Sequence, residues 1–276
     1  MAENIRLKRI LLTLVMIALA VLFLLPFYIS FVYAFKSSQE ITFTGLAFPR
    51  TFHFENYTMA IERSNFWRAF MNTVKATIPG ILLLLVVCPP AAYVFGRNNN
   101  RFYNALYVVF MAALLIPFQS IMLPIYINLK DYHLNNTISG LTLVRSAFNV
   151  SFNILVITGF VKNVPKEMEE AASIDGCGPF RTFWVIVFPL LSPVIASMLV
   201  MNALSAWNDF TLSFIILMKK NVETLPVMLF NFFGQYSVEL NYAFAAASIS
   251  MLPVLIFYLA MQKYIISGVT AGAVKG

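Results

Sequence analysis

The chain has 276 residues, 60% of them apolar and only 11% charged, with 27 Phe and a mean hydropathy of +0.78. Soluble domains run roughly 45–50% apolar and about 25% charged, so an ordinary soluble globule is excluded and a membrane protein is expected. Since about 20 apolar residues cross a bilayer as a helix, this length holds six spans with their connections and no separate large soluble domain.

In chain order, the first apolar stretch runs from about Ile10 to Phe35 behind Arg6, Lys8 and Arg9. A signal peptide shares the basic start, but its apolar region is about 7–15 residues long, so an uncleaved span is expected. Further spans are predicted at about Phe70–Phe95, Asn104–Leu129, Ile138–Val161, Trp184–Ala206 and Tyr242–Gln262. Each is long enough to satisfy its backbone internally as a helix. The expected fold is therefore an all-α integral membrane bundle of six helices, a single domain over residues 1–276. Nearly every span contains proline: Pro26, Pro79, Pro89, Pro90, Pro117, Pro124, Pro193 and Pro253. Each removes a helical hydrogen bond and tends to kink its helix, which suits a pathway that opens and closes and equally suits ordinary bundle packing.

With the N-terminus inside, the inner segments hold ten basic residues and a net +5, and the outer ones eight and a net +1. The inner segments are also the short ones, where the positive-inside rule applies, so both termini are expected in the cytoplasm. The basic residues are scattered between apolar runs, which fits membrane topology and not nucleic-acid binding. Cys88 lies in an apolar run and Cys177 in a charged loop, so a disulfide is improbable. His53 and His133 are isolated in connecting segments, with no spacing that suggests a metal site. No cofactor is expected, and the absence of a G-x-x-x-x-G-K-[ST] loop means that any nucleotide must be bound by another subunit.

The connection between the fourth and fifth spans, residues 162–183, is more organised than a linker. Pro165 is placed to be a first helical residue, followed by Glu167, Glu169 and Glu170, where the helix dipole favours anions. Gly176 can end that helix in the left-handed conformation, and Pro179 can start a second one running toward Pro189. Four of the 12 acidic residues fall between Glu167 and Asp175.

Glu170-Ala171-Ala172, followed after three residues by Gly176 and after nine more by Ile186 and then Pro189, resembles the EAA loop of membrane subunits of binding-protein-dependent ABC importers. The flanking text, Val164-Pro165-Lys166-Glu167 and Val187-Phe188-Pro189-Leu190, is similar to the carbohydrate branch, in particular its smaller, maltose-type permeases. Ile116-Pro117-Phe118-Gln119, Ala206-Trp207-Asn208-Asp209-Phe210, Thr224-Leu225-Pro226-Val227 and the tail from Gln262 to Gly276 extend the resemblance over nearly the whole chain.

The resemblance implies a type I importer fold in a bacterial or archaeal cell membrane. It further implies a second related permease, two copies of a cytoplasmic ATPase, an extracytoplasmic sugar-binding protein, membrane lipid around the spans, and no enzymatic activity of this chain's own. Glu170, Ala171, Ala172, Asp175 and Gly176 would form the ATPase-coupling element. The local chemistry agrees, because a short helix presenting Met168, Ala171 and Ala172 can enter a groove. The resemblance also suggests that Asn208 and Asp209 contribute to the outer gate or the binding-protein contact, while Asp209 could equally cap a helix or pair.

Charged residues inside spans are rare, and Arg145 is the clear case here. Asn149 and Asn153 follow at steps of four along one helix face, with Phe148 and Phe152 as an adjoining stripe. Two readings are open: a sugar path formed by amides and aromatic faces, or an arginine that snorkels or pairs while the asparagines join helices. Gln119, between Pro117 and Pro124, is a further candidate for the path or for helix–helix bonding. The leading function is a permease for an oligosaccharide or other carbohydrate. The alternatives are the same architecture importing glycerol phosphate, an amino acid or a peptide, or an ATP-independent secondary transporter.

Overall fold

The computed structural model describes the backbone of residues 2–235 and 239–273, and the side chains of residues 8–234 and 239–264. The basic residues Arg6 and Lys275, and residues 265–276 of the resembling tail, lie outside the described side chains.

The described chain is all helical. Five helical stretches are long and apolar enough to cross a membrane. They are α1 (Ala2–Phe35), α4 (Phe66–Arg97), α7 (Ile138–Val161), the continuous run Pro179–Asn208, and α13 (Leu240–Ala273). Shorter helices fill the connections: α2 (Ser38–Thr44), α3 (Glu55–Ser64), α8 (Glu167–Ile174), α11 (Thr211–Ile216) and α12 (Leu225–Gln235).

The predicted third span is not a straight rod. It forms α5 (Arg101–Ala113) and α6 (Phe118–Asp131), bent by 100° at the break between them. Pro117 sits at the break with ψ 134°, and a proline both lacks the N–H that would continue the ladder and excludes the residue before it from helical geometry. The other span prolines lie inside continuous helices, so a proline in one of these spans does not by itself break it.

Two compact units divide the chain: residues 1–67 with 228–253, and residues 68–227 with 254–276. In the first, Asn56 donates to the carbonyls of Ala34 and Lys36 at 2.8 and 2.9 Å, and Asn241 donates to Asn56 at 2.9 Å. Lys36 is fully buried, its Nζ donating to Thr44 Oγ1 and the Gly45 carbonyl at 2.8 Å each. His53 is also partnered, its Nδ1 2.6 Å from Glu55 Oε1.

The core of the second unit joins α4, α7 and the Pro179–Asn208 run through Leu84, Cys88, Ile154, Ile157, Val187 and Leu191. That run consists of α9 (Pro179–Thr182), a π-helical turn over Phe183–Val187, and α10 (Phe188–Asn208). Phe188 N–H bonds back five residues to Phe183 O, and the wide turn ends at Val187, two residues before Pro189, which has no N–H to give to a tighter ladder.

Candidate functional site

Two polar constellations interrupt the apolar interior of the second unit, near opposite ends of α7. The first is built around Arg145, whose residue is 8% exposed. Its Nη2 donates to Asp209 Oδ2 at 2.8 Å and to Ser213 Oγ at 3.0 Å. Asp209 is itself fixed, accepting from the backbone amides of Leu212 and Ser213 at 3.2 and 3.1 Å, where α11 begins. Asp209 therefore both caps and pairs. Arg145 Nε and Nη1 are buried and have no hydrogen-bond partner among the described residues.

Arg145 and Asp209 line a cavity of about 190 Å³ together with Phe118, Phe148, Asn149 and Ser205. The rings of Phe118 and Phe148 meet edge to face, with centroids 5.5 Å apart. Of the stripe read from the sequence, Arg145, Phe148 and Asn149 thus come together with Asp209 at one cavity. Asn153 does not line it. Its amide is buried and pairs with Asn202, which donates to Asn153 Oδ1 at 2.9 Å and joins α7 to α10. Gln119 and Asn208 are exposed and do not line the cavity either.

Sequence reasoning missed Asn202 and Ser213. The signal for Asn202 was available, as a lone amide within an apolar span.

The second constellation surrounds α8. The helix starts at Glu167 and not at Pro165: the amides of Glu169 and Glu170 both take Lys166 O as their acceptor, so the Glu169 amide does not close a turn onto Pro165 O. It ends as expected. Gly176 has φ +81°, and the Cys177 amide bonds back to Ala172 O at 2.9 Å, a turn that favours glycine because a Cβ is strained there.

Met168, Ala171 and Ile174 are exposed on α8, and Phe180 is exposed on α9. Ala172, expected on the presented face, is instead buried at 4% exposure. It lies one helical step from Ala171, about 100° around the axis, and so faces inward. Glu170, Asp175 and Gly176 are exposed.

Glu169 is the acidic residue with inward partners. Tyr93 Oη donates to its Oε2 at 2.6 Å, and Arg97 Nε to its Oε1 at 2.6 Å. Arg97 Nη2 also donates to Val164 O at 2.8 Å.

Residues 88–271 match the family profile described as "Binding-protein-dependent transport system inner membrane component". The chain belongs to that family. A member is a permease component and not itself a catalyst, and the apolar helices make this one a multi-pass membrane protein. The probable starch degradation products transport system permease protein of Thermoanaerobacterium thermosulfurigenes is 35% identical over 99% of both chains. The melibiose/raffinose/stachyose import permease protein of Bacillus subtilis is 33% identical over 91% of both. A crystal structure of a bacterial ABC transporter involved in import of the acidic polysaccharide alginate contains a chain of the same fold, with a TM-score of 0.83, 22% identity, and coverage of 94% of this chain and 96% of that one.

Proposed function

We propose that the chain is one of two permease subunits of an ATP-driven importer of oligosaccharides. The observation that carries this reading is the similarity, at 35% and 33% identity over more than nine-tenths of each chain, to permeases named for starch products and for raffinose-type sugars. In the assembly this subunit works with a second related permease, two copies of a cytoplasmic ATPase and an extracytoplasmic sugar-binding protein, with both of its termini in the cytoplasm. The α8 helix docks in a groove of the ATPase through its exposed Met168, Ala171 and Ile174. Glu170, Asp175 and the Gly176 turn hold the shape and charge of the docking element, and closure of the ATPase pair on ATP swings the permease between inward-open and outward-open forms.

The cavity around Arg145, Asn149 and Phe148 lies on the sugar path, and Asp209 with its neighbour Asn208 belongs to the outer gate. At about 190 Å³ the cavity falls below the ~300 Å³ at which pockets for small organic ligands begin, which supports a path completed by the partner permease. Asn149 and Ser205 with the face of Phe148, all on the cavity lining, supply polar groups and an apolar surface for a sugar ring. Reconstituting the four-component complex and screening di- to tetrasaccharides, amino acids and glycerol phosphate for stimulation of ATP hydrolysis tests the reading. Stimulation by a neutral oligosaccharide is expected, whereas stimulation only by amino acids, peptides or glycerol phosphate would contradict it.

A further inference from the structure

The α8 helix has two covalent connections, to α7 through residues 162–166 and to α9 through the Gly176 turn. It also has a third, non-covalent one that runs to α4. Tyr93 and Arg97 stand four residues apart on α4 and therefore on one face, and both reach Glu169, in the first turn of α8. Arg97 spans the junction, with Nε on the Glu169 carboxylate and Nη2 on the Val164 carbonyl just before the helix. The side chains of Arg97 and Glu169 are only 11% and 15% exposed, with an Nη2–Oε1 separation of 2.5 Å. Solvent screening, which makes exposed ion pairs weak, is thus largely removed.

The packing beneath the pair is close as well. A Cβ on Gly96 would lie 2.5 Å from Val161 Cγ1, so α4 and α7 touch backbone to side chain one residue from Arg97. The Tyr93 ring meets Phe183 at a centroid distance of 5.1 Å, which ties the same face of α4 to the start of the π-helical turn.

We propose that Tyr93 and Arg97 are positioning residues for energy coupling: their grip on Glu169 makes α8 and the end of α4 near Arg97 a single moving body. Displacement of α8 is then delivered to α4 as well as to the covalently attached α7 and α10. This inference rests on the proposal that α8 docks on the ATPase. A salt bridge that merely shaped α8 would be needed in every state of the transporter. One that transmits motion is needed only when nucleotide moves the helix, and this difference is measurable.

The test is amide hydrogen exchange on the complete complex, compared without nucleotide and with ATP plus vanadate. In the unmodified protein, nucleotide is expected to change exchange together in residues 167–174 of α8 and 93–98 of α4. In Arg97→Met and in Glu169→Gln the α8 response should persist while the α4 response falls several-fold. The exchanged pair, Arg97→Glu with Glu169→Arg, should restore part of it, since only the ion pair of the three contacts is rebuilt, and Tyr93→Phe should give an intermediate loss.

An α4 response of full size in both single variants would overturn the clamp. Loss of the ATPase from the complex in the single variants would overturn it too, by assigning the pair to the shape of α8. An α8 that does not respond to nucleotide in the unmodified complex would overturn the docking reading beneath it.

Discussion

Arg145 and Arg97 each meet a carboxylate across helices in the same unit, at 2.8 and 2.5 Å, yet they use their guanidinium groups differently. Arg97 commits both Nε and Nη2, to a carboxylate and a carbonyl that belong to one junction. Arg145 commits only Nη2 and leaves Nε and Nη1 buried without a partner beside a cavity. A buried donor with no acceptor is destabilising by about 1–3 kcal/mol, so the Arg145 site retains an unmet capacity to bind that the Arg97 site does not have. The contrast separates an arginine whose donors are spent on one helix junction from one that keeps two buried donors unmet next to a cavity.

The largest effect expected is at Asp209. Asp209→Ala strands a buried guanidinium and should lower stability by about 3 kcal/mol, read as an earlier thermal unfolding of the purified complex. Replacing both partners, Arg145→Met with Asp209→Leu, should recover most of that stability but not sugar uptake. Recovery of uptake as well would remove Arg145 from the path.

Next comes the packing at the other end. Gly96→Ala drives a methyl group into Val161 and should cost about 2 kcal/mol in the same assay. A neutral result there would mean that the α4–α7 contact yields easily and is a poor base for the Arg97 junction.

A smaller effect is expected from Asn202→Leu, which leaves the Asn153 amide without its partner at a cost of about 1 kcal/mol. The double change to leucine at both positions should be close to neutral in stability and leave uptake intact, since neither residue lines the cavity of about 190 Å³. The smallest effect is Gln119→Ala, an exposed residue outside the cavity lining, at under about 0.5 kcal/mol with unchanged uptake.

The long helices were legible because their signal is local: α7 spans Ile138–Val161, the same bounds that hydropathy alone indicates. The turn after α8 was legible for the same reason, as a glycine at a helix end leaves a mark in a few residues. The bend in the third span was only half legible. Eight prolines in spans look alike in sequence, and whether one breaks its helix depends on whether neighbouring elements hold the chain straight, which no local pattern encodes.

The short connecting helices α2, α3, α11 and α12 were not foreseen, because pieces of 6–11 residues depend on tertiary packing for most of their stability. The site was legible in kind but not in pairing. A lone arginine in a span points to function, but its partner Asp209 is 64 residues away, and Glu169 is 72 residues from Arg97. Nothing in the periodicity of either helix connects such distant positions. Sequence alone therefore placed Ala172 on the presented face, gave Glu169 only a helix-dipole role, and left Asn153 between the path and helix joining.

The proposed role of α8 and its glycine turn, carrying the energy of ATP hydrolysis into the membrane, is open to a direct test. Gly176 has φ +81° and open space around it, so Gly176→Trp strains the turn and enlarges the docking surface without disturbing the helix core. The direct measurement is ATP hydrolysed per oligosaccharide imported, by the complete complex in proteoliposomes, with and without this change. Hydrolysis is expected to continue at its basal rate while sugar stimulation and uptake are lost. An unchanged ratio with normal uptake would contradict it.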